Sequence, residues 1–421
     1  MRDGGRIGAA VGVLGDFAAR RVPLRVALAD WQRGARYAGA KDRAFVSGLC
    51  LDALRRWASF RGDEAGARVA VRLVLGELWG WEADRIGAAF AEAPHGPGAL
   101  TDEERAAAPS DALDAPAWLL PLLDRTGDAA AEVRALSARA PVDLRVNTLK
   151  GTPEKALKAT EGIGARPAPI VATALRVPAP PAAERAPAVT VIPAYGRGLV
   201  EVQDEASQVA ALACGDVAGA QVLDLCAGGG GKSLALAAMM ANTGQVFAYD
   251  ADPRRLAPIH DRLRRAGARN VQVRSPAAGE GVDDLAGRMD VVLVDAPCSG
   301  VGTWRRRPDA KWRLTEAQLR ARMGEQDALL VEAAAYVRPG GTLVYVTCST
   351  LCEENEDRVV AFLAAGAPFE RAGAFEAIPD GMLTGAGRAR LRGLEADGTL
   401  RLSPERSRTD GFTVTRLART R

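Results

Sequence analysis

The feature that most constrains this chain is a run of four glycines, Gly228-Gly229-Gly230-Gly231, between an apolar stretch ending at Asp224-Leu225 and a helix-like stretch beginning near Ser233. Glycine tolerates positive φ and has no Cβ, so such a run lets a strand turn tightly into a helix. Its backbone N–H groups can then approach a ligand at the carboxyl edge of a sheet. The surrounding pattern agrees: from about Gly198 onward, short apolar runs at 221–225, 245–249, 270–274, 290–294 and 342–347 alternate with amphipathic segments. That alternation predicts a doubly wound α/β sheet. Residues 398–402 and 411–417 are expected to form a terminal antiparallel hairpin, and there is no internal repeat.

Upstream the period changes. From Ile7 to about Leu136 apolar residues recur three and four apart, and five of the seven tryptophans lie there, which predicts a helical bundle. The stretch 142–147 alternates like a strand, 153–159 is helix-like, 173–177 is strand-like, and Pro178-Ala179-Pro180-Pro181 marks a loop. Three domains are therefore expected: a helical domain over 1–135, a small α/β subdomain over 136–200, and the doubly wound domain over 201–421.

A chain of 421 residues, 48% hydrophobic and 25% charged, has ample apolar surface to bury. No apolar run approaches the ~20 residues that cross a bilayer, and the first residues lack a signal-peptide layout, so the expectation is a soluble cytoplasmic protein. The six cysteines form no CxxC pair and only two histidines are present, which argues against a zinc site, any other metal centre, or a disulfide framework. Net charge is +3, but the first 60 residues hold eleven Lys/Arg against five Asp/Glu. That asymmetry suits a polyanionic partner, and equally a solvated basic face.

Three ligand readings compete at the glycine run. A phosphate-binding P-loop needs a glycine five positions before Gly231, where this chain has Cys226. A dinucleotide fingerprint needs spaced glycines, and these are contiguous. An S-adenosylmethionine loop fits better, because Asp250 ends the next strand, where a carboxylate accepts hydrogen bonds from both ribose hydroxyls. A turn that only packs helix against strand is the structural alternative.

Two cysteines stand at comparable places. Asp295-Ala296-Pro297-Cys298-Ser299-Gly300 closes the fourth strand of this domain and Thr347-Cys348-Ser349 the fifth. A single cysteine is usually a small buried hydrophobe, but two at strand ends of one sheet, one with an acid three residues earlier, point to chemistry. Cytosine C5 is too electron-poor to take a methyl group directly. A thiolate adding at C6 pushes density onto C5, and a protonated carboxyl at N3 can neutralise developing charge. The site must then favour the thiolate, for example through Lys232 or the start of a helix near Glu353. Spacing leaves open which cysteine attacks.

At these residues the chain resembles the RsmB/NOP (Fmu/Sun) family of RNA cytosine-5 methyltransferases. The likeness runs through Arg145-Val146-Asn147, Gly198 to Gln208, the glycine loop, the two cysteine motifs, Glu354-Asn355 and Asp410-Gly411-Phe412. It implies a class I S-adenosylmethionine-dependent methyltransferase sheet. It also implies that Cys226, Ala227, Gly228, Gly229, Gly230, Gly231, Lys232, Asp250 and Asp295 contact S-adenosyl-L-methionine. Cys348 would be the nucleophile, Cys298 would help resolve the adduct, Asp295 would bind the cytosine edge, and Lys232 would support the charged centre. The helical domain, with Lys41-Asp42-Arg43 and Leu54-Arg55-Arg56, would be the NusB-like RNA-binding domain of the 16S rRNA branch. The implied partner is RNA, 16S rRNA in particular, bound by a monomer without metal or membrane.

The chain departs from the family at three places. Gly228-Gly229 replaces Ala-Pro, which predicts a slacker loop. Arg274-Ser275-Pro276-Ala277 lacks the usual acid near the adenine, and Cys352 stands where proline is common. These departures motivate an alternative, a non-catalytic RNA-binding or ribosome-assembly protein with a degenerate cofactor site. Amino-methylating enzymes are disfavoured, because their Asn/Asp-Pro-Pro-Tyr position reads Asp295-Ala296-Pro297-Cys298. The segment from Thr303 to Arg313, with five cations and two indoles, is expected to contact phosphates and stack on unpaired bases. The structural alternative there is Trp312 packed in the core with the arginines solvated.

Overall fold

The computed structural model describes every residue of the chain except 64, 65, 185 and 421. Helices dominate the first third. The helix Asp3–Arg20 buries Ile7, Ala10, Leu14 and Phe17, a stripe at helical spacing, against Ala40–Arg55 and Ala67–Leu73. The helical region is split in its packing. Residues of 7–100 share one core, whereas Leu119, Leu123, Val133 and Leu136 pack with Val301, Trp304, Leu319 and Leu351 of the large domain.

A four-stranded antiparallel sheet follows, built from β1 (Val142–Val146), β2 (Arg166–Pro167), β3 (Ala174–Val177) and β4 (Val200–Val202) in the order β2-β3-β1-β4. Its last strand lies at and beyond residue 200, and the buried Asp143 and Glu205, with the half-buried Arg176, tie it to the helix Glu205–Leu212.

The large sheet has nine strands: β5 (Gln221–Asp224), β6 (Gln245–Tyr249), β7 (Val271–Arg274), β8 (Met289–Asp295), β9 (Val337–Thr347), β10 (Phe369–Ala372), β11 (Glu395–Ala396), β12 (Thr399–Leu402) and β13 (Phe412–Arg419). The parallel part runs β9-β8-β5-β6-β7. Residues such as Val291 to Val294 and Leu343 to Val346 are buried throughout, because helices cover both faces of a parallel sheet. The chain order reverses at β5, between β6 and β8, so the ends of β5 and β8 open onto the crevice where such sheets bind ligands. The expected terminal pairing of β12 with β13 forms, and β13 then runs antiparallel beside β9, which places the intervening 403–411 loop next to the strand end that carries Cys348. The helix Glu316–Tyr336 between β8 and β9 starts with a capping box, Thr315 Oγ1 accepting from Gln318 N at 3.3 Å and Gln318 Oε1 from Thr315 N at 3.0 Å. Among the described residues no helix is long and apolar enough to cross a membrane.

Candidate active site

The glycine loop leaves β5 and enters the helix Gly231–Met239. Gly228 has φ +51° and Gly230 φ +77°, so glycine suits both positions, and a Cβ on Gly230 would lie 2.5 Å from Ile259 Cγ1. The loop is anchored rather than slack. Gly228 N donates to Asp250 Oδ2 at 2.9 Å, Ala227 N to Tyr249 O at 2.8 Å, and Arg262 Nη1 donates to Gly229 O at 2.6 Å. The expected slackness of Gly228-Gly229 is corrected by these contacts, which come from residues 20 to 35 positions away. Cys226 is half-buried and its thiol is pushed up by burial.

The donor set suits a cationic, hydroxyl-rich ligand without phosphate. Asp250 is buried, with Oδ1 accepting from Asp252 N at 3.0 Å, yet a carboxylate has lone pairs for two further hydroxyls. Asp224, fully buried at the loop's base, accepts from Ser233 Oγ at 2.6 Å through Oδ2, while Oδ1 has no partner. Burial raises this carboxyl to about 7. After β7, where the family acid is missing, Glu280 turns back and accepts from Ser275 N at 3.2 Å, which returns a carboxylate to that strand end.

The four residues expected at the reacting centre come together in two contacts. Lys232 Nζ lies 2.6 Å from Asp295 Oδ2, with the ammonium also 5.1 Å from the centre of the Phe412 ring. Cys298 Sγ and Cys348 Sγ are 3.3 Å apart, both as free thiols. Lys232 is thus engaged with Asp295 rather than with a cysteine. The helix after Cys348 begins at Glu356, one short turn later than expected. Cys298 is held well above an ordinary thiol's range by its hydrogen bond with Cys348, by burial and by the nearby Glu354 charge.

The scaffold of the cysteine pair was legible only as a motif without a role. Glu354, fully buried, accepts from Ser299 N at 2.7 Å, from the Ser299 hydroxyl, and from Gln326 Nε2 at 3.1 Å; Gln326 also donates to Pro297 O at 2.9 Å. One acid on the Cys348 loop thus holds the Cys298 loop. Asn355 accepts from Thr347 Oγ1 at 2.7 Å and donates to Leu351 O at 2.7 Å, closing the turn around Cys348. Gly302 N donates to Cys348 O at 3.1 Å, and Gly411 N to Gly302 O at 2.8 Å. Cys352 lies 3.5 Å from Arg401 Nη2, away from the pair.

The segment expected to grip RNA is mostly internal. Trp304 is 1% exposed and Lys311 1%, its Nζ donating to Arg55 O at 3.1 Å and Ser137 Oγ at 3.2 Å. Trp312 packs on the helical region and donates to Leu54 O at 2.7 Å. Arg305 and Arg306 share Asp204 and Asp410: Arg305 Nε to Asp410 Oδ1 at 2.5 Å, Arg306 Nη2 to Asp204 Oδ2 at 2.7 Å. The physical reason is distance along the chain. Buried charges need partners, and theirs stand about a hundred residues away where no local reading finds them. Only Arg307 of the five cations is exposed. Arg55 is likewise internal, donating to Ala138 O at 2.9 Å and Arg305 O at 2.5 Å.

Comparison with known proteins adds family and fold. Residues 211–418 match the model of a family described as 16S rRNA methyltransferase RsmB/F. The chain is 36% identical over 238 residues to the ribosomal RNA small subunit methyltransferase B of Salmonella typhi, covering 55% of this chain and 53% of that protein. Against the protein of the same name from Citrobacter koseri it is 34% identical over 280 residues, covering 65% and 60%. The chain thus spans between half and two thirds of the curated relatives it matches. The solved structure of PH0851 superposes with TM-score 0.71 at 23% identity, covering 98% of each chain, a likeness of fold. The class I methyltransferase sheet expected from the sequence, preceded by a small α/β sheet and a helical region, is borne out.

Proposed function

We propose, from the match of residues 211–418 to the RsmB/F methyltransferase family, that the chain transfers a methyl group from S-adenosyl-L-methionine to C5 of a cytosine in RNA, with 16S rRNA as the substrate. The observation that carries this reading is the thiol pair Cys298 and Cys348, 3.3 Å apart, beside the Lys232–Asp295 pair at the carboxyl edge of the sheet.

The cofactor supplies an electrophilic methyl group; the chain's own residues make the base receptive to it. Cys348 Sγ adds to C6, forming a C–S bond and moving the electrons of the C5–C6 double bond toward C5 and N3. Cys298, kept as a thiol, donates its S–H to the Cys348 sulfur and stabilises it as a thiolate both before attack and on departure. Asp295, with Oδ2 on the Lys232 ammonium, offers Oδ1 to the cytosine amino group, and the ammonium offsets the charge that develops along that edge. Asp250 and the Gly228 to Gly231 backbone would hold the cofactor's ribose and methionine portions. After methyl transfer a solvent water takes the C5 proton, the C5–H electron pair re-forms the C5–C6 double bond, and the C6–S bond breaks with its electron pair leaving on Cys348 Sγ.

The test is transfer of labelled methyl groups from S-adenosyl-L-methionine to unmodified 16S rRNA transcript. Cys348→Ala should abolish transfer while S-adenosylhomocysteine still binds by calorimetry; retained transfer rejects the nucleophile. Bisulfite mapping of rRNA from cells lacking the protein would identify the nucleotide.

A further inference from the structure

The cations of the 303–313 segment are almost all spent inside the molecule, which makes the unspent ones informative. Arg307 and Arg25 are both exposed, and neither side chain has an ion-pair or hydrogen-bond partner among the described residues. Both line one cavity of about 520 Å³ between the helix Leu24–Gly34 and the segment before the helix Glu316–Tyr336. Arg313 lines this cavity and also a second one, of about 260 Å³, which reaches Cys298 and Ser299 and has Arg322 on its far wall. The two cavities share Arg313 as a lining residue, one bordered by Cys298 and the other by the helix Leu24–Gly34.

Their charge is lopsided. The four arginines face two acids, Asp309, which pairs with Arg313 at 3.2 Å, and Glu325, which pairs with Arg322 at 2.5 Å. That leaves Arg25 and Arg307 as uncompensated charge over the furrow. A cavity of about 520 Å³ lies within the range of small-ligand pockets and one of about 260 Å³ just below it, the scale of single nucleotides rather than of a duplex. A base undergoing chemistry at Cys348 must be out of its stack, so the strand that carries it has to leave the site as a single strand.

We propose that the furrow lined by Arg322, Arg313, Arg307 and Arg25 is the track for the single-stranded RNA flanking the target cytosine, with Arg25 and Arg307 as phosphate contacts supplied from opposite walls. This rests on RNA being the substrate. The segment that carries Arg307 is docked on the helical region by Trp312 Nε1 donating to Leu54 O at 2.7 Å and by Leu24 N donating to Asp309 Oδ2 at 3.2 Å, which brings Arg25 and Arg307 to one cavity.

The test uses the full chain, a labelled 20-nucleotide single-stranded RNA and a duplex of the same length. Each lost single-strand phosphate contact lowers the steepness of log affinity against log salt by about 0.7, so Arg25→Ala/Arg307→Ala should lower it by about 1.4. Between 50 and 200 mM salt the double variant should then lose about sevenfold less affinity than the unsubstituted protein. Arg269→Ala, an exposed arginine before β7 at the opposite edge of the sheet, should leave the slope unchanged. With 16S rRNA transcript, KM should rise in the double variant while kcat at saturation holds. An unchanged slope, an equal change in Arg269→Ala, or an equal effect on the duplex overturns the track. Failure of the unsubstituted protein to methylate any RNA overturns the substrate reading instead, and the binding slopes still decide the furrow.

Discussion

Substituting Gly302 by alanine probes how the cysteine pair is held. A Cβ there would sit 2.1 Å from Gly411 O and 2.5 Å from Gly411 Cα, against the 3.0 Å that real Cβ contacts respect, so backbone must move by about 0.9 Å. Neither atom belongs to a flexible side chain. The displacement falls on two hydrogen bonds, Gly302 N to Cys348 O at 3.1 Å and Gly411 N to Gly302 O at 2.8 Å. Overpacking of this kind costs about 1–3 kcal/mol. Weakening one of the bonds adds about 1 kcal/mol, for a total near 2–4 kcal/mol. Because the strain ends at the Cys348 carbonyl, a shift of the order of 1 Å at the nucleophile should lower kcat by about 100-fold. The glycine loop hangs on β5 and Asp250, so binding of S-adenosylhomocysteine should persist. The assay is methyl transfer at a temperature below unfolding, with the melting curve measured alongside. As a control, Gly324 lies within the helix Glu316–Tyr336 with nothing within 4 Å of its would-be Cβ. Gly324→Ala should therefore be stabilising by about 0.5–1 kcal/mol with kcat intact. Wild-type kcat and melting temperature in Gly302→Ala would refute the account of how Cys348 is positioned.

Three further outcomes are expected. Cys298→Ala removes the S–H donor on the Cys348 sulfur, so a denaturation-resistant protein–RNA adduct should accumulate on gels with RNA and cofactor; its absence removes Cys298 from the release step. Asp410→Ala leaves Arg305 and Arg306 to share Asp204 in a buried site and should cost about 3–5 kcal/mol in denaturant unfolding, while a loss under 1 kcal/mol would show the network to be dispensable. Asp224 carries a folded-state carboxyl raised to about 7 from 3.8. The folded state therefore binds more protons across that interval, and its stability contribution, full below about 4, is lost as pH rises through about 7. Asp224→Asn should remove that dependence, so its melting temperature relative to the unsubstituted protein should climb between pH 5 and 8; a flat difference rejects the burial of this charge.

Much of the large domain was readable because its signals are local. Continuous apolar runs such as Val291 to Val294 mark strands buried on both faces whatever surrounds them, and the expected 245–249 strand agrees with the observed Gln245–Tyr249. The glycine run dictates a turn through backbone sterics alone, and the ends of β8 and β9 carry Asp295, Cys298 and Cys348 to one edge. The extent of β9 was less legible: it begins at Val337, five residues early, because Val337 pairs with Met289 of β8 and the Pro339-Gly340-Gly341 breakers fall in an irregularity of the ladder before Thr342 pairs with Val291.

By itself, then, the amino-acid sequence determined the order of elements and the sheet edge at which the glycine run, Asp295 and the two cysteines gather, since backbone conformation and apolar periodicity are decided within a few residues. Only the tertiary structure decided who partners whom. It gave Lys232 to Asp295, joined the two sulfurs at 3.3 Å, and made Glu354 the clasp of both cysteine loops. It also drew Arg305 and Arg306 inside to Asp204 and Asp410, leaving Arg307 outside. Charge satisfaction is a pairing across space, between residues about 50 to 100 positions apart, and a buried charge is tolerated only where the fold delivers its counterpart.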